Sequence, residues 1–314
     1  MAGLAQAQRP TVAQEPPAEA GHEGHDHAHD HRRSDRQGRY GNSFIASQLP
    51  ATGEAHEAPG TARPPPGGGT EQATEPGQLM RGMLSQVQKL KSPLPPVAGE
   101  QRRELFGMII LGRGVSPTAL DACEAIVRAT LGARKDVQER MRKAKAALVI
   151  VPSQQKMTEV EEFKALKGTK TFDGRTWDDV RGAGGMRVPS GLFAIAVPEE
   201  NLVETGNDAY SDGYSVGLHE LAHAIHDKGL PPGEQEQVLA LYNARKAAGG
   251  PWTEDYGASN EWEYYAQATN CYYGANDGIG HNGPGWLKKN DPGIYALLER
   301  VYGPPPVGPD APAP

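Results

Sequence analysis

The stretch GLHELAHAIHDKG, residues 217–229, decides how the rest of the chain is read. It sets His219 and His223 four residues apart, with Glu220 directly after the first. A helix turns about 100° per residue, so positions i and i+4 share one face about one turn apart. Two imidazoles so placed can reach one ion together, and a carboxylate beside the first can take a proton from water. Val216, Leu218, Leu221, Ala222 and Ile225 give the same helix an apolar side for a core. Gly229, followed by LPPG, predicts its end.

The H-E-x-x-H spacing is that of zinc metalloproteases, but five residues recur by chance, so the flanks must support the reading. Upstream, AALVIVP (146–152) and GLFAIAVP (191–198) predict buried strands, each stopped by proline. In GVSPTALDACEAIVRATLGA, Ser116 is a good N-cap and Pro117 sits at the first helical position. Leu120, Cys123, Ile126, Val127 and Leu131 mark one face of that helix, and Gly132 ends it. KDVQERMRKAK continues as a charged helix and EVEEFKAL as a short one. TFDGRTWDDVRGAGG (171–185) reads as a turn-rich stretch in which Trp177 and Arg181 fix the turn against the core. Order is expected to start near Arg102, where ELFGMIIL is apolar enough to be buried.

A zinc site of this type needs a third protein ligand. A histidine ten residues after His219 would signal the metzincin pattern, but position 229 is glycine. His226 lies seven residues on, about 10 Å along the axis, which makes it a supporting or surface residue rather than a ligand. The ligand should be a glutamate on a later helix, and NEWEYYAQATNCYY (260–273) supplies it. Trp262, Tyr265, Ala266, Thr269 and Tyr272 or Tyr273 form an apolar stripe there. Glu261 and Glu263 flank that stripe, and periodicity does not choose between them.

Composition bounds the folded part. The chain has 314 residues with 39 Gly and 27 Pro, and only 6% are aromatic. That predicts a large unstructured part beside a compact one. Residues 1–98 form the expected disordered, low-complexity arm and 304–314 a proline-rich tail; for the compact part, 99–303, likeness to the H-E-x-x-H zinc peptidases implies an α+β, zincin-like domain, with a small mixed sheet packed on the active-site helix and a helical C-terminal part. Within the arm, HEGHDHAHDH (22–31) is a histidine tract that would attract zinc or nickel without fixed geometry, and QLMRGMLSQVQKLK (78–91) has helical spacing. A net charge of −7 gives no basic patch for nucleic acid. Two cysteines, Cys123 and Cys271, exclude a disulfide scaffold and a cysteine-rich zinc site. No apolar run is long enough to span a bilayer, and the N-terminus lacks the pattern of a secretory signal.

Four stretches together carry a resemblance: ALVIVPSQQKMTEVEEFKALKG, TFDGRTWDDVRGAGG, FAIAVPEENLV with SVGLHELAHAIHD, and NEWEYYAQATNCYY. The chain resembles the anthrax lethal factor-like zinc metallopeptidases, a gluzincin group, over roughly residues 147–273 and in outline from 102 to 303. The resemblance implies one catalytic Zn2+ held by His219, His223 and Glu263. It implies Glu220 as general base and Tyr256, seven residues before Glu263, as a donor to the oxyanion. That family often carries an acid four residues after the ligand glutamate, which orients a ligand histidine. Here the position is Gln267, whose amide oxygen is expected to accept from an imidazole N–H more weakly than a carboxylate. His281, in GANDGIGHNGPG, is a weaker candidate for a second oxyanion donor; a loop histidine without catalytic purpose is the favoured reading.

The function expected is a zinc endopeptidase acting on a protein or peptide substrate, as a toxin or secreted effector. The substrate is expected to add as a strand along an edge near residues 192–197. Two other readings compete: a zincin fold kept for binding alone, and exported cargo whose arm is a loading tag for an export machinery. Export without an evident signal peptide is the expected localisation, with the cytoplasm as the alternative.

Overall fold

A hairpin opens the described part of the chain. Strands β1 (Glu100–Leu105) and β2 (Met108–Arg113) pair antiparallel. They turn at Phe106 and Gly107, which have φ of 51° and 78°. This computed structural model describes residues 96, 98–171, 174–203, 208–210, 213–276 and 280–305. The arm at 1–98, its histidine tract, the 78–91 patch and the 304–314 tail fall outside the described residues, apart from a few at their inner ends.

After the hairpin comes helix α1 (Pro117–Leu131). The Ser116 hydroxyl accepts from the Ala119 N–H, and Gly132 forms the C-cap. Helix α2 (Lys135–Ala144) ends at Lys145, which adopts φ 54°. Then follow β3 (Ala146–Val151), two 3-10 turns at Met157–Glu159 and Glu161–Leu166, and a third at Trp177–Asp179. Strands β4 (Ala183–Arg187) and β5 (Phe193–Pro198) lead into the short helix α3 (Glu199–Leu202).

The sheet has five strands in the order β1-β2-β3-β5-β4. Its three inner strands run parallel and both edges are antiparallel, so it is mixed, as expected. β3 and β5 are apolar at every position because both faces of the sheet are covered. Leu148, Ile150, Ile195 and Val197 face the helices. Ala147, Val149, Ala194 and Ala196 face a second core under the 3-10 turns, which also holds Phe163 and Trp177. Arg181 locks that side. It grips both carboxylate oxygens of Glu200 at 2.7 and 2.6 Å and donates to the Pro152 carbonyl at 3.0 Å.

Two expectations need correction. The strand at 193–198 is not an edge: β5 lies between β3 and β4, and the edge on that side is β4. β4 begins inside the stretch read as turns and runs two residues past it; Gly184 and Gly185 hide its strand character. The hairpin strands were likewise not evident as strands.

The helical part begins with α4 (Val216–Ala224), which continues into a π turn at Ile225–Gly229. Helix α5 (Pro232–Ala247) and a 3-10 turn at Asp255–Ala258 follow. Helix α6 (Glu261–Tyr272) packs against α4, and α7 (Pro284–Asn290) and α8 (Pro292–Tyr302) close the chain. All nine residues of α4 are buried, so no side of it is solvated. Cys123 and Cys271 are buried free thiols. No helix among the described residues is long and apolar enough to cross a membrane.

Candidate metal centre

Two N-caps aim the site. The Ser215 hydroxyl accepts from the Leu218 N–H and starts α4 one turn before His219. Asn260 Oδ1 accepts from the N–H groups of Trp262 and Glu263, at 3.0 and 2.9 Å, and starts α6. Glu263 thus sits in the first turn of its helix, where the positive end of the peptide dipoles favours a carboxylate. Glu261, two residues earlier, is partly exposed and does not belong to the buried group.

His219, His223 and Glu263 each offer one ligand atom, and these atoms lie within 4.8 Å of one another. The two Nε2 atoms are 3.0 Å apart, and Glu263 Oε2 lies 3.2 Å from the first and 3.4 Å from the second. All three side chains are at most 2% exposed. Neither oxygen of Glu263 has a hydrogen-bond partner. Buried carboxylate oxygens and converging imidazole lone pairs are costly unless a cation joins them. The residues therefore fit a divalent ion with nitrogen and oxygen preference. Burial works against charge on Glu263, but the facing His223 and His219 outweigh it and hold the carboxyl down at about 2.

Glu220 is fully buried, and both its oxygens lack a hydrogen-bond partner. Burial pushes its carboxyl up to about 8; His219 and Arg175 oppose this and Glu263 adds to it. Its neighbour across the cleft is Gly182, just before β4. A Cβ at that position would meet Glu220 Oε1 and Val216 Cγ1 at 2.7 Å. Only glycine leaves the carboxylate its place.

Tyr256 lies in the 3-10 turn before α6, half-buried, and packs on the cluster of Tyr210, Tyr214 and Val216. Tyr214 is part of the site's wall: its phenol oxygen is 2.7 Å from His219 Nδ1. Tyr256 is therefore near the ligand helix. Sequence reasoning missed Tyr214 and the role of Gly182. Tyr214 stands in a loop five residues before His219, where no periodicity marks it; the glycine run of RGAGG was the only hint of the other.

One expectation changes, and at two histidines the structure selects between the readings left open. Gln267 is hydrogen-bonded to Tyr214 rather than to an imidazole: its Nε2 donates to the phenol at 3.3 Å, and its Oε1 has no hydrogen-bond partner. His226 is 2% exposed rather than on the surface, its ring 4.2 Å from that of Trp262 and 5.1 Å from that of Tyr265. His281 is exposed and stacks flat on Trp286 at 4.4 Å, which gives it a structural use in its loop.

The sequence profile described as "Anthrax toxin lethal factor, N- and C-terminal domain" matches residues 125–301, more than half of the chain. Among solved structures, the chain is similar to the PRO-PRO endopeptidase PPEP-2 from Paenibacillus alvei. The identity is 17% and the TM-score 0.41, over 58% of this chain and 91% of that one. No curated protein sequence matches. The family assignment rests on the profile match, which spans α4, α6 and the whole triad between them: the chain belongs to the anthrax toxin lethal factor family.

Proposed function

We propose that the chain is a zinc-dependent endopeptidase that hydrolyses peptide bonds of a protein substrate. The observation that supports this most is the buried group of His219, His223 and Glu263 with the unpartnered carboxylate of Glu220 beside it. Zinc held by those three ligands would supply a Lewis acid toward the scissile carbonyl and make water easier to deprotonate. Glu220 takes a proton from the attacking water on one carboxylate oxygen and later passes it to the leaving nitrogen. A neighbouring divalent cation favours the ionised carboxylate that this first transfer requires. Tyr256 donates its phenol O–H toward the oxyanion as the carbonyl becomes tetrahedral. The substrate adds in extended form to β4, whose outer side has no strand partner among the described residues and which begins next to Gly182 and Glu220.

The test is Glu220→Gln against wild type on a proteome-derived peptide library, with new termini read by mass spectrometry and zinc content measured alongside. The expected result is a loss of about 10²–10⁴-fold in cleavage with zinc unchanged. Equal cleavage by both proteins, or none by zinc-loaded wild type, overturns the enzymatic reading. In the second case the fold would serve binding alone.

The same proposal extends to an exported effector whose residues 1–98 act as a loading segment. Family membership and the composition of that arm support it. Failure of residues 1–98 to carry a neutral reporter out of the producing cell would end it.

A further inference from the structure

We infer that Tyr214, backed by Gln267, holds His219 in its ligating tautomer and so sets the affinity of the metal site. This rests on the zinc-site reading above. His219 turns Nε2 toward Glu263 and His223, which makes Nε2 the ligating atom. A neutral imidazole with its lone pair at Nε2 carries its proton at Nδ1. That nitrogen is 2.7 Å from the Tyr214 phenol oxygen, so Nδ1–H donates to the phenol. The other ligand has no such support: His223 Nδ1 is buried without a hydrogen-bond partner. Orientation of the histidine pair from behind therefore falls on Tyr214.

Gln267 completes the chain. It is fully buried, its Nε2 is 3.3 Å from the same phenol oxygen, and its Oε1 has no partner. Turning the amide over exchanges two atoms of nearly equal size and brings the carbonyl oxygen to the phenol. The hydrogen bonds then run one way. His219 Nδ1–H donates to Tyr214, and the Tyr214 O–H donates to Gln267. A ligand imidazole that donates its second N–H to an acceptor is held in tautomer and ring angle, and a neutral acceptor raises its basicity less than a carboxylate would. The acid common at this helix position in the family would sit where Gln267 sits, but in this chain a tyrosine ring intervenes. Tyr214 is a positioning residue, since it acts through His219.

Its backbone is pinned independently of the phenol. The Tyr214 carbonyl accepts from Asn201 Nδ2 at 2.8 Å, and Asn201 Oδ1 accepts from the Val216 N–H at 2.8 Å. Tyr214→Phe is therefore expected to fold.

The experiment uses the full chain with the five tract histidines, His22, His25, His27, His29 and His31, replaced by alanine so that they bind no metal. Zinc affinity is measured by competition with a chromophoric chelator. The imidazole N–H resonances of the zinc form are followed by NMR. Tyr214→Phe is expected to weaken zinc roughly 10–100-fold and to move or lose the His219 Nδ1–H resonance. Gln267→Leu is expected to shift that same resonance and weaken zinc less. The double variant should bind within about twofold of Tyr214→Phe, because the glutamine acts through the tyrosine. Parent protein that takes up zinc, with Tyr214→Phe within about twofold of it, overturns this inference alone. Should Tyr214→Phe fail to fold, an unmoved His219 resonance in Gln267→Leu overturns it equally. A parent protein that takes up no zinc overturns the function reading and this inference together.

Discussion

Helix α4 and the π turn that continues it carry three histidines, and the two ends of this stretch treat them differently. At His219 and His223, the neighbouring helix α6 presents Glu263. One turn further, at His226, it presents the rings of Trp262 and Tyr265. All three imidazoles are at most 2% exposed. The first pair converges on a carboxylate. The third is an apolar slab: burial first, and His223 second, press its pKa down to about 3, and its Nδ1 has no hydrogen-bond partner. The same residue type, equally buried on one helix, becomes a metal-site group or packing according to what the neighbour offers. The π turn at Ile225–Gly229 adds to the difference, because it takes His226 off the regular helical path.

The largest expected effect removes what distinguishes the two ends. Glu263→Ala removes the carboxylate on which His219 and His223 converge, and zinc content should fall from about one ion per chain to none, with all cleavage lost. The control, Glu261→Ala, should keep both. Elemental mass spectrometry on the chain lacking the tract histidines reads this directly, and zinc retained by Glu263→Ala would point to another ligand.

Next comes Gly182→Ala. The added methyl would meet Glu220 Oε1 at 2.7 Å, so the carboxylate must move while the three ligands stay. A displacement of that kind should lower kcat on the order of 10²-fold with zinc content unchanged. Unchanged kcat would mean that Glu220 is not held where the proton is moved.

A second pair of buried acids extends the comparison. Glu263 has imidazoles opposite and stays charged. Glu254, 8% exposed, has Oε2 without a hydrogen-bond partner, and burial pushes its carboxyl up from 4.5 to about 7; the backbone N–H of Tyr256 opposes this, while Asp255 and Glu263 add to it. An acid with a raised folded pKa keeps its proton longer in the folded state. Its contribution is intact below about 4.5 and is lost as pH rises through about 7. That gap corresponds to about 3 kcal/mol. Urea unfolding should show this decline between acidic and neutral pH in wild type, and Glu254→Gln should flatten it. An unaltered slope would remove Glu254 as its source.

The smallest effect lies at the packing end. His226→Phe keeps a ring between Trp262 and Tyr265 and removes an orphaned nitrogen, so stability should change by no more than about 1 kcal/mol and zinc not at all. The same substitution at His223 should abolish zinc binding. If His226→Phe also lost zinc, the contrast between the two ends would collapse.

Short-range rules made much of this legible. Ser116 and Pro117 announced α1, the unbroken runs announced β3 and β5, and the i, i+4 histidines announced the metal helix, because caps, hydrophobic period and ligand spacing act within one turn or strand. The α+β class followed from those pieces. The hairpin and β4 did not, since the glycines of β4 carry no side-chain alternation to read. For His226 a supporting and a surface position both stayed open, because spacing along a helix says how far a side chain is from an ion, not what covers it.

By itself, then, the sequence determined the class of the fold, the histidine pair with the glutamate beside it, and the family whose spacing they share, all through contacts between near neighbours. Tertiary structure alone decided that β4 rather than β5 is the edge, that Gly182 makes room for Glu220, that Gln267 stops at Tyr214, and that His226 is packing. Each of those depends on atoms brought together from separate elements, some of them dozens of residues apart in the chain, and such meetings are set by how α4, α6 and the sheet pack.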